Sequence, residues 1–428
     1  MKKVELIHPP HYDSTDDSLD PPLGLLYIAT HIQSHFNEND VSVVVNNLSG
    51  KKENEWFISY ADIYGITVYA PSHRVVESII KKCKEINPNA TIVVGGAHPS
   101  AVPYMFKGIA DHVVIGKGEL AMIDIISGTT NSFTVSNNTP FNYFVLPKYE
   151  LVDMNSYHRT VGGRKSLPML TTRGCPYKCS FCGLSYLHTM ENISFADPTV
   201  VVDQIKTIKD KFGITAIGFQ DDIFTLKKER FKKLMTLIKP LDIRFRCHGR
   251  AGIDTEETYA MLADAGCVQV AWGIESGSQY MLDRMNKKSK VQDNYNVIQW
   301  AKKYGIDSRS FFVIGFPGET KETLEETKRF IEWADPDQYF VSSFVPYPGT
   351  EPWNNPEKFG ITYIDKEFEQ FYQVGKEGHG GLTVDTEWLT RQQFYELEKE
   401  FRGWLSENKP LRGALLNYEK NLNRGLIE

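Results

Sequence analysis

No stretch of about 18 consecutive apolar residues occurs in the 428-residue sequence, so a membrane-spanning helix is not expected. Two lysines open the chain, but the apolar run after them is too short for a signal peptide, and a cytoplasmic protein is expected. Basic residues are not in excess: 48 Lys and Arg face 54 Asp and Glu, a net charge of -6. Bulk attraction to nucleic acid is therefore not expected. Cysteine is scarce, six in all, which excludes a disulfide scaffold. Internal repeats and low-complexity tracts are absent. A composition of 41% hydrophobic and 24% charged residues excludes disordered, collagen-like and coiled-coil classes. The length predicts two or three domains.

What is present is alternation of strand and helix. Val4–Ile7, Val41–Val45, Ala61–Thr67, Thr91–Val94 and Asp111–Gly116 read as short apolar strands, with helical periodicity from Pro22 to Thr30 and from Val75 to Ile86. This order predicts a doubly wound parallel sheet, which binds ligands outside the carboxyl ends of its strands. Those ends carry Pro9-Pro10, Ala70-Pro71-Ser72, Gly95-Gly96-Ala97-His98-Pro99 and Gly116-Lys117-Gly118-Glu119. Loop chemistry then marks a linker. A second series of six strand–helix units follows, with strands expected at Pro168–Thr172, Ala216–Gln220, Ile243–Cys247, Val268–Gly273, Ser310–Gly315 and Gln338–Val345. Six such units in this length predict a partial (β/α)6 barrel of TIM type, with chemistry on the loops after the strands. The fold class expected is thus α/β: a Rossmann-like domain at 1–140, a linker at 141–165, the barrel at 166–350 and a mostly helical segment at 351–428.

Three of the six cysteines fall within eight residues, Cys175-Pro176-Tyr177-Lys178-Cys179-Ser180-Phe181-Cys182, directly after the first barrel strand. Three thiolates so spaced on a loop can hold three irons of a 4Fe–4S cluster and leave the fourth iron open. Three buried free thiols, or a zinc site with His188 as fourth ligand, is the alternative. Cys83, Cys247 and Cys267 read as small buried hydrophobes.

The C-x3-C-x2-C spacing, with an aromatic residue before the last Cys, is similar to the signature of the radical S-adenosylmethionine (SAM) enzymes. Gly218-Phe219-Gln220-Asp221-Asp222, Trp272-Gly273-Ile274-Glu275-Ser276 and Phe312-Val313-Ile314-Gly315-Phe316-Pro317-Gly318 extend the resemblance in order along the barrel. It implies a 4Fe–4S cluster on Cys175, Cys179 and Cys182, with SAM chelating the open iron. Reductive cleavage of SAM would yield a 5′-deoxyadenosyl radical that abstracts hydrogen from a small-molecule substrate. The resemblance places Phe181 and Gly315 along adenine, Gln220, Asp221 and Asp222 near the methionine ammonium, Glu275 on the ribose, and Lys287 or Arg250 near the carboxylate. An electron donor such as flavodoxin or ferredoxin is implied, and no residue is singled out as the final hydrogen donor.

The first domain resembles the cobalamin-binding domain that precedes the barrel in one radical SAM subfamily, through Pro21-Pro22-Leu23-Gly24-Leu25, Gly95-Gly96-Ala97-His98-Pro99 and Gly116-Lys117-Gly118-Glu119. Gly95, Gly96, Gly116 and Gly118 would let the backbone approach a bulky ligand. The Asp-x-His-x-x-Gly pattern for a cobalt-ligating histidine is absent. Cobalamin-dependent methyl transfer is the expected subtype. The alternatives are a cobalamin-independent dehydratase, epimerase or oxidase in which this domain only encloses substrate, a methylthio-transferase acting on tRNA, and a non-catalytic iron–sulfur or zinc protein.

Overall fold

The computed structural model describes residues 1–11, 19–136, 145–183, 193–368, 370–373 and 380–408. Residues 137–144, which span the expected boundary between first domain and linker, and 184–192 with His188, lie outside the described residues.

The N-terminal sheet contains six parallel strands: β1 (Lys2–His8), β2 (Val41–Asn47), β3 (Ile63–Thr67), β4 (Thr91–Gly95), β5 (His112–Val114) and β6 (Thr134–Val135). Their spatial order is β2-β1-β3-β4-β5-β6. The chain winds one way from β1 to β2 and the other way from β3 onward, so the switch point lies between β1 and β3. Val4, Leu6, Val43 and Ile63 pack on one face under the Leu23–His35 and Gly118–Ser127 helices. Ile7, Tyr64, Ile66, Ile92 and Val94 pack on the other with the His73–Ile86 helix. Apolar residues on both faces are what a sheet covered on both sides requires.

The second sheet contains β7 (Thr160–Val161), β8 (Arg164–Met169), β11 (Ala216–Phe219), β12 (Arg244–Gly249), β13 (Cys267–Glu275), β14 (Asp307–Ile314) and β15 (Gln338–Ser343), in the order β15-β14-β13-β12-β11-β8-β7. The six strands from β8 to β15 are parallel. β7 pairs antiparallel with β8, which is why β8 begins four residues before the expected Pro168. The two short strands β9 (Thr172–Arg173) and β10 (Ser194–Phe195) pair antiparallel beside the first loop. Phe219, Phe245, Val270, Trp272, Phe312 and Val341 belong to the core under the helices. The alternate residues of the same strands line the interior. The expected class is therefore what is found: a doubly wound sheet, then a partial barrel.

The C-terminal segment is less helical than expected. β16 (Ile361–Ile364) and β17 (Val384–Thr386) form an antiparallel pair ahead of the Arg391–Asn408 helix. That helix lays Phe401 and Leu405 against the main core. Buried Glu398 accepts from the Ser343 hydroxyl at 2.6 Å and pairs with Arg402, anchoring the helix at the end of β15. Phe368 and Phe371 pack with Ala70 and Val345, joining this segment to both sheets. Cys83, Cys247 and Cys267 are buried, and burial pushes the Cys83 thiol up to about 12. Among the described residues no helix is long and apolar enough to cross a membrane.

Candidate active site

The three clustered cysteines sit on the loop after β8, and the loop is tied down by the neighbouring strand. Asp221, at the end of β11, accepts from the Thr171 amide at 2.6 Å, the Thr172 amide at 3.0 Å and the Thr171 hydroxyl. Arg230 donates to the Thr171 carbonyl at 2.9 Å. One peptide is thus held through both its N–H and its C=O, two residues before Arg173. Burial raises the Asp221 carboxyl above its ordinary value, and the three donors oppose the shift. Asp221 is therefore occupied in holding the loop. Asp222 accepts from the Gly174 amide and lines the cavity; burial and the Asp221 charge push it up to about 6. Gly174 has φ +97°, a conformation that favours glycine.

Arg250, on the loop after β12, lies over the Tyr177 ring at 3.6 Å to its centroid. It donates to Cys179 Sγ at 3.7 Å and to the Lys287 carbonyl. Ser180 N–H donates to Met285 O at 3.0 Å, and Asn286 donates to Lys178 O at 2.6 Å, so the turn after the Gln279–Arg284 helix closes the loop from the other side.

Cys175, Cys179 and Cys182 are unbridged and line one cavity of about 300 Å³. Phe181, Gln220, Asp222, His248, Gly273, Glu275 and Lys287 line the same space. Among the described residues no three His, Cys, Asp or Glu converge as ligands of one ion. Three thiols around one cavity fit the three-cornered hold of a 4Fe–4S cluster, with the Arg250 cation at its side. His188, the fourth ligand of the zinc alternative, lies outside the described residues.

Glu275 and Lys287 form a buried ion pair at 2.7 Å, each side chain 7% exposed. Two local features allow it. Glu275 has φ +64°, and the register between β13 and β14 shifts between Gly273 and Glu275. A bulge here re-aims the Glu275 side chain inward. A Cβ on Gly273 would lie 2.0 Å from Glu275 Oε1 and 2.8 Å from Lys287 Nζ. Gly273→Ala is therefore expected to displace the pair and weaken SAM binding at least tenfold with the fold intact. Isothermal titration with SAM and far-ultraviolet circular dichroism together check this.

Gly315 is not among the residues lining that cavity. It has φ +78°, and a Cβ there would meet the Phe394 ring at 2.4 Å, so the C-terminal helix covers it. Its amide donates to Glu319 at 3.3 Å. Glu319 is 2% exposed, and burial pushes its carboxyl up to about 7. The fold favours the protonated form, so stability is greatest below the ordinary value of 4.5 and falls as pH rises through about 7. Glu319→Gln should remove up to about 3 kcal/mol of that slope. Urea unfolding of both proteins at pH 5 and pH 8 gives the measurement; equal slopes would refute it.

In the first domain, Gly96 has φ +106° and Gly116 φ +79°. Gly116 N–H donates to Ser100 Oγ at 3.0 Å. Gly95 ends β4. At Gly118 a Cβ would meet Ile28 at 2.7 Å, so its small size serves helix packing. His98 and His73 are packed together at 3.2 Å among Phe106 and Phe368, and burial pushes His98 down to about 3. The switch point carries His8, His11 and Tyr69, with His11 and Tyr69 ring centroids 5.0 Å apart. Tyr69 is 40% exposed.

The sequence reading passed over His248, Gln269 and Arg309, isolated polar residues outside any motif. The signal was there in β12, where Arg244, Arg246 and His248 alternate with Phe245 and Cys247. A strand with helices on one side and polar residues on the other encloses a polar interior.

The Radical SAM superfamily model matches residues 169–331, the span that carries the loop and the cavity. The chain belongs to the radical SAM superfamily. The B12 binding domain model matches residues 18–126. The chain is 28% identical to an uncharacterized methyltransferase of Pyrococcus horikoshii over 82% of this chain and 83% of that protein. It is 25% identical to the anaerobic magnesium-protoporphyrin IX monomethyl ester cyclase of Rubrivivax gelatinosus over 81% of this chain and 68% of that one. Among solved structures, the radical SAM methyltransferase TsrM of Kitasatospora setae, with cobalamin and a [4Fe–4S] cluster bound, superposes with TM-score 0.71. Identity is 18%, over 96% of this chain and 93% of that one. The cobalamin-dependent SAM radical enzyme OxsB superposes with TM-score 0.72 at 17% identity, over 95% of this chain and 67% of that one. Both sheets of this radical SAM enzyme thus share a known two-part fold.

Proposed function

We propose that this radical SAM enzyme transfers a methyl group to a small-molecule substrate with the help of cobalamin. The observation that carries this reading is the pairing of a B12-binding match at 18–126 with a radical SAM match at 169–331 in one continuous core. When bound, the cluster and SAM supply a 5′-deoxyadenosyl radical, and cobalamin supplies a transferable methyl group. Cys175, Cys179 and Cys182 would hold the cluster. Arg250 places its charge beside Cys179 and would offset the negative charge of the ligating thiolates. Asp222 would accept from, and Gln220 donate to, the amino-acid end of SAM, and Glu275 would accept from its ribose hydroxyls; all three line the cavity. Lys287 then holds the Glu275 carboxylate in place through their ion pair at 2.7 Å. Phe181 closes one wall, its ring edge-on to Phe316 at 6.5 Å, and excludes water from the cavity. His8, His11 and Tyr69, at the β1/β3 switch point, offer flat rings and an open edge suited to a macrocycle.

An external one-electron donor of flavodoxin or ferredoxin type completes the reading. The cyclase relative supports a second one, ring closure on a small-molecule substrate. The test is anaerobic reconstitution with iron, sulfide and hydroxocobalamin, then reduction with dithionite in the presence of SAM. Methyl transfer requires stoichiometric corrinoid in the retained spectrum, together with formation of 5′-deoxyadenosine. Retention of the cluster without corrinoid would sink the methyl-transfer reading.

A further inference from the structure

Directly beneath the cofactor cavity the barrel holds Arg246 and Arg309, which form no ion pair among the described residues. The register runs His248–Ala271–Arg309–Gln338 across β12 to β15, so these four residues share one level and one face. Gly218, Arg246 and Gln269 form part of the level below. His248 and Ala271 also line the cluster cavity, so the upper level is continuous with it.

Three features mark this layer as a binding place. The Nε atoms of Arg246 and Arg309 and the Nε2 of Gln338 are buried without a hydrogen-bond partner. Gln338 is 2% exposed. Among the described residues the nearby carboxylate, Asp20, is already held by Arg159 at 2.7 and 2.8 Å, so the guanidinium groups there outnumber the acceptors. Gly218 and Ala271 carry little or no side chain, which leaves room for the Arg246 guanidinium over Gly218. A Cβ on Gly218 would already lie 3.3 Å from Arg246 Nε. Arg309 lies over Phe311 at 5.2 Å and Phe340 at 5.8 Å, and Phe340 is 37% exposed, so the layer opens at the side of the partial barrel.

Arg246 and Arg309 are half-buried, and their Nε donors, shut off from water without an acceptor, are costly unless a ligand supplies one. We propose that Arg246, Arg309 and Gln338 bind an oxyanion of the substrate, a carboxylate or a phosphonate-like group, and so hold the reacting carbon against the cavity above. Guanidinium groups suit such planar or tetrahedral oxyanions through paired N–H donors. This inference rests on the radical SAM reading only for the direction in which the substrate points.

The experiment uses the full chain, reconstituted with iron and sulfide. Inorganic phosphate and acetate are titrated against chloride at constant ionic strength, and the thermal midpoint is followed with and without saturating SAM. Saturable stabilisation by at least one of the two anions is expected, persisting when SAM is bound. Which of the two acts at lower concentration tells phosphonate-like from carboxylate recognition. Arg309→Met and Arg246→Met should each raise the half-saturating concentration at least tenfold. Gln338→Leu should raise it by less, and the exposed control Arg329→Met should leave it unchanged. An absent response, a response unchanged in the Met variants, or a response abolished by SAM would overturn the proposal. If Arg309→Met does not fold, Arg309→Lys serves, with a weaker but measurable anion response expected. SAM cleavage without substrate is scored separately: its loss with the anion response intact sinks the functional reading and leaves the oxyanion site standing.

Discussion

Replacing Cys182 with alanine is expected to lower SAM cleavage more than a thousandfold. The same holds for Cys175 and Cys179. The three thiols surround one cavity, and no further Cys lies near it to substitute: the other three are buried in the helix or strand cores. A cluster held by two thiolates has a second open iron and is lost to solvent or oxidation. The measurement is iron content together with 5′-deoxyadenosine formation after dithionite reduction. Cys247→Ala and Cys267→Ala are the matched controls and should keep both. Full iron loading of Cys182→Ala would show that the trio is not the ligand set.

The second large effect is expected at Asp221. Asp221→Ala strands three buried donors, and each costs roughly 1–3 kcal/mol. It also removes a charge that faces Arg230. The loss should appear first as failure to retain the cluster, because the released peptide leads directly into the cysteine loop. Asp221→Asn keeps an acceptor for both amides and should bind iron with a modest drop in stability. Asp222→Asn should do the reverse: fold and cluster intact, SAM affinity reduced. Iron retention, urea midpoint and SAM titration on the three variants separate these outcomes. Identical behaviour of the alanine and asparagine variants at position 221 would refute the clamp.

These two neighbours show why a motif alone under-determines a site. Gly218-Phe219-Gln220-Asp221-Asp222 marks the place where β11 delivers carboxylates to the first loop, and that much is legible. Both Asp221 and Asp222 line the cavity, but Asp221 is taken up by Thr171, fifty residues earlier in the loop after β8. Long-range pairing of that kind leaves no trace in local spacing. The cysteine trio was legible because its chemistry is local: three ligands within one loop. The alternation of strands and helices gave both sheets, because a parallel strand covered on both faces must be apolar throughout. Gly315 shows the opposite limit. Its strand could be placed, but the ring that covers it comes from Phe394 in the C-terminal helix. Lys287 lines the cavity and pairs there with Glu275, a contact between β13 and a turn twelve residues later that spacing does not reveal.

Arg173, two residues before the first cysteine, is gripped from the N-terminal sheet. Its guanidinium pairs with buried Glu119 at 2.5 Å and lies 4.7 Å from the centre of the Tyr27 ring. Glu119 follows the Gly118 turn and Tyr27 lies on the first helix, so both grips come from the half that carries the B12-binding match. The two halves are consequently poor candidates for exchange by shuffling or for separate expression. A barrel cut free of its companion would present the cysteine loop with its leading arginine adrift. Maturation of that loop is thereby coupled to whether the other half has already folded against it.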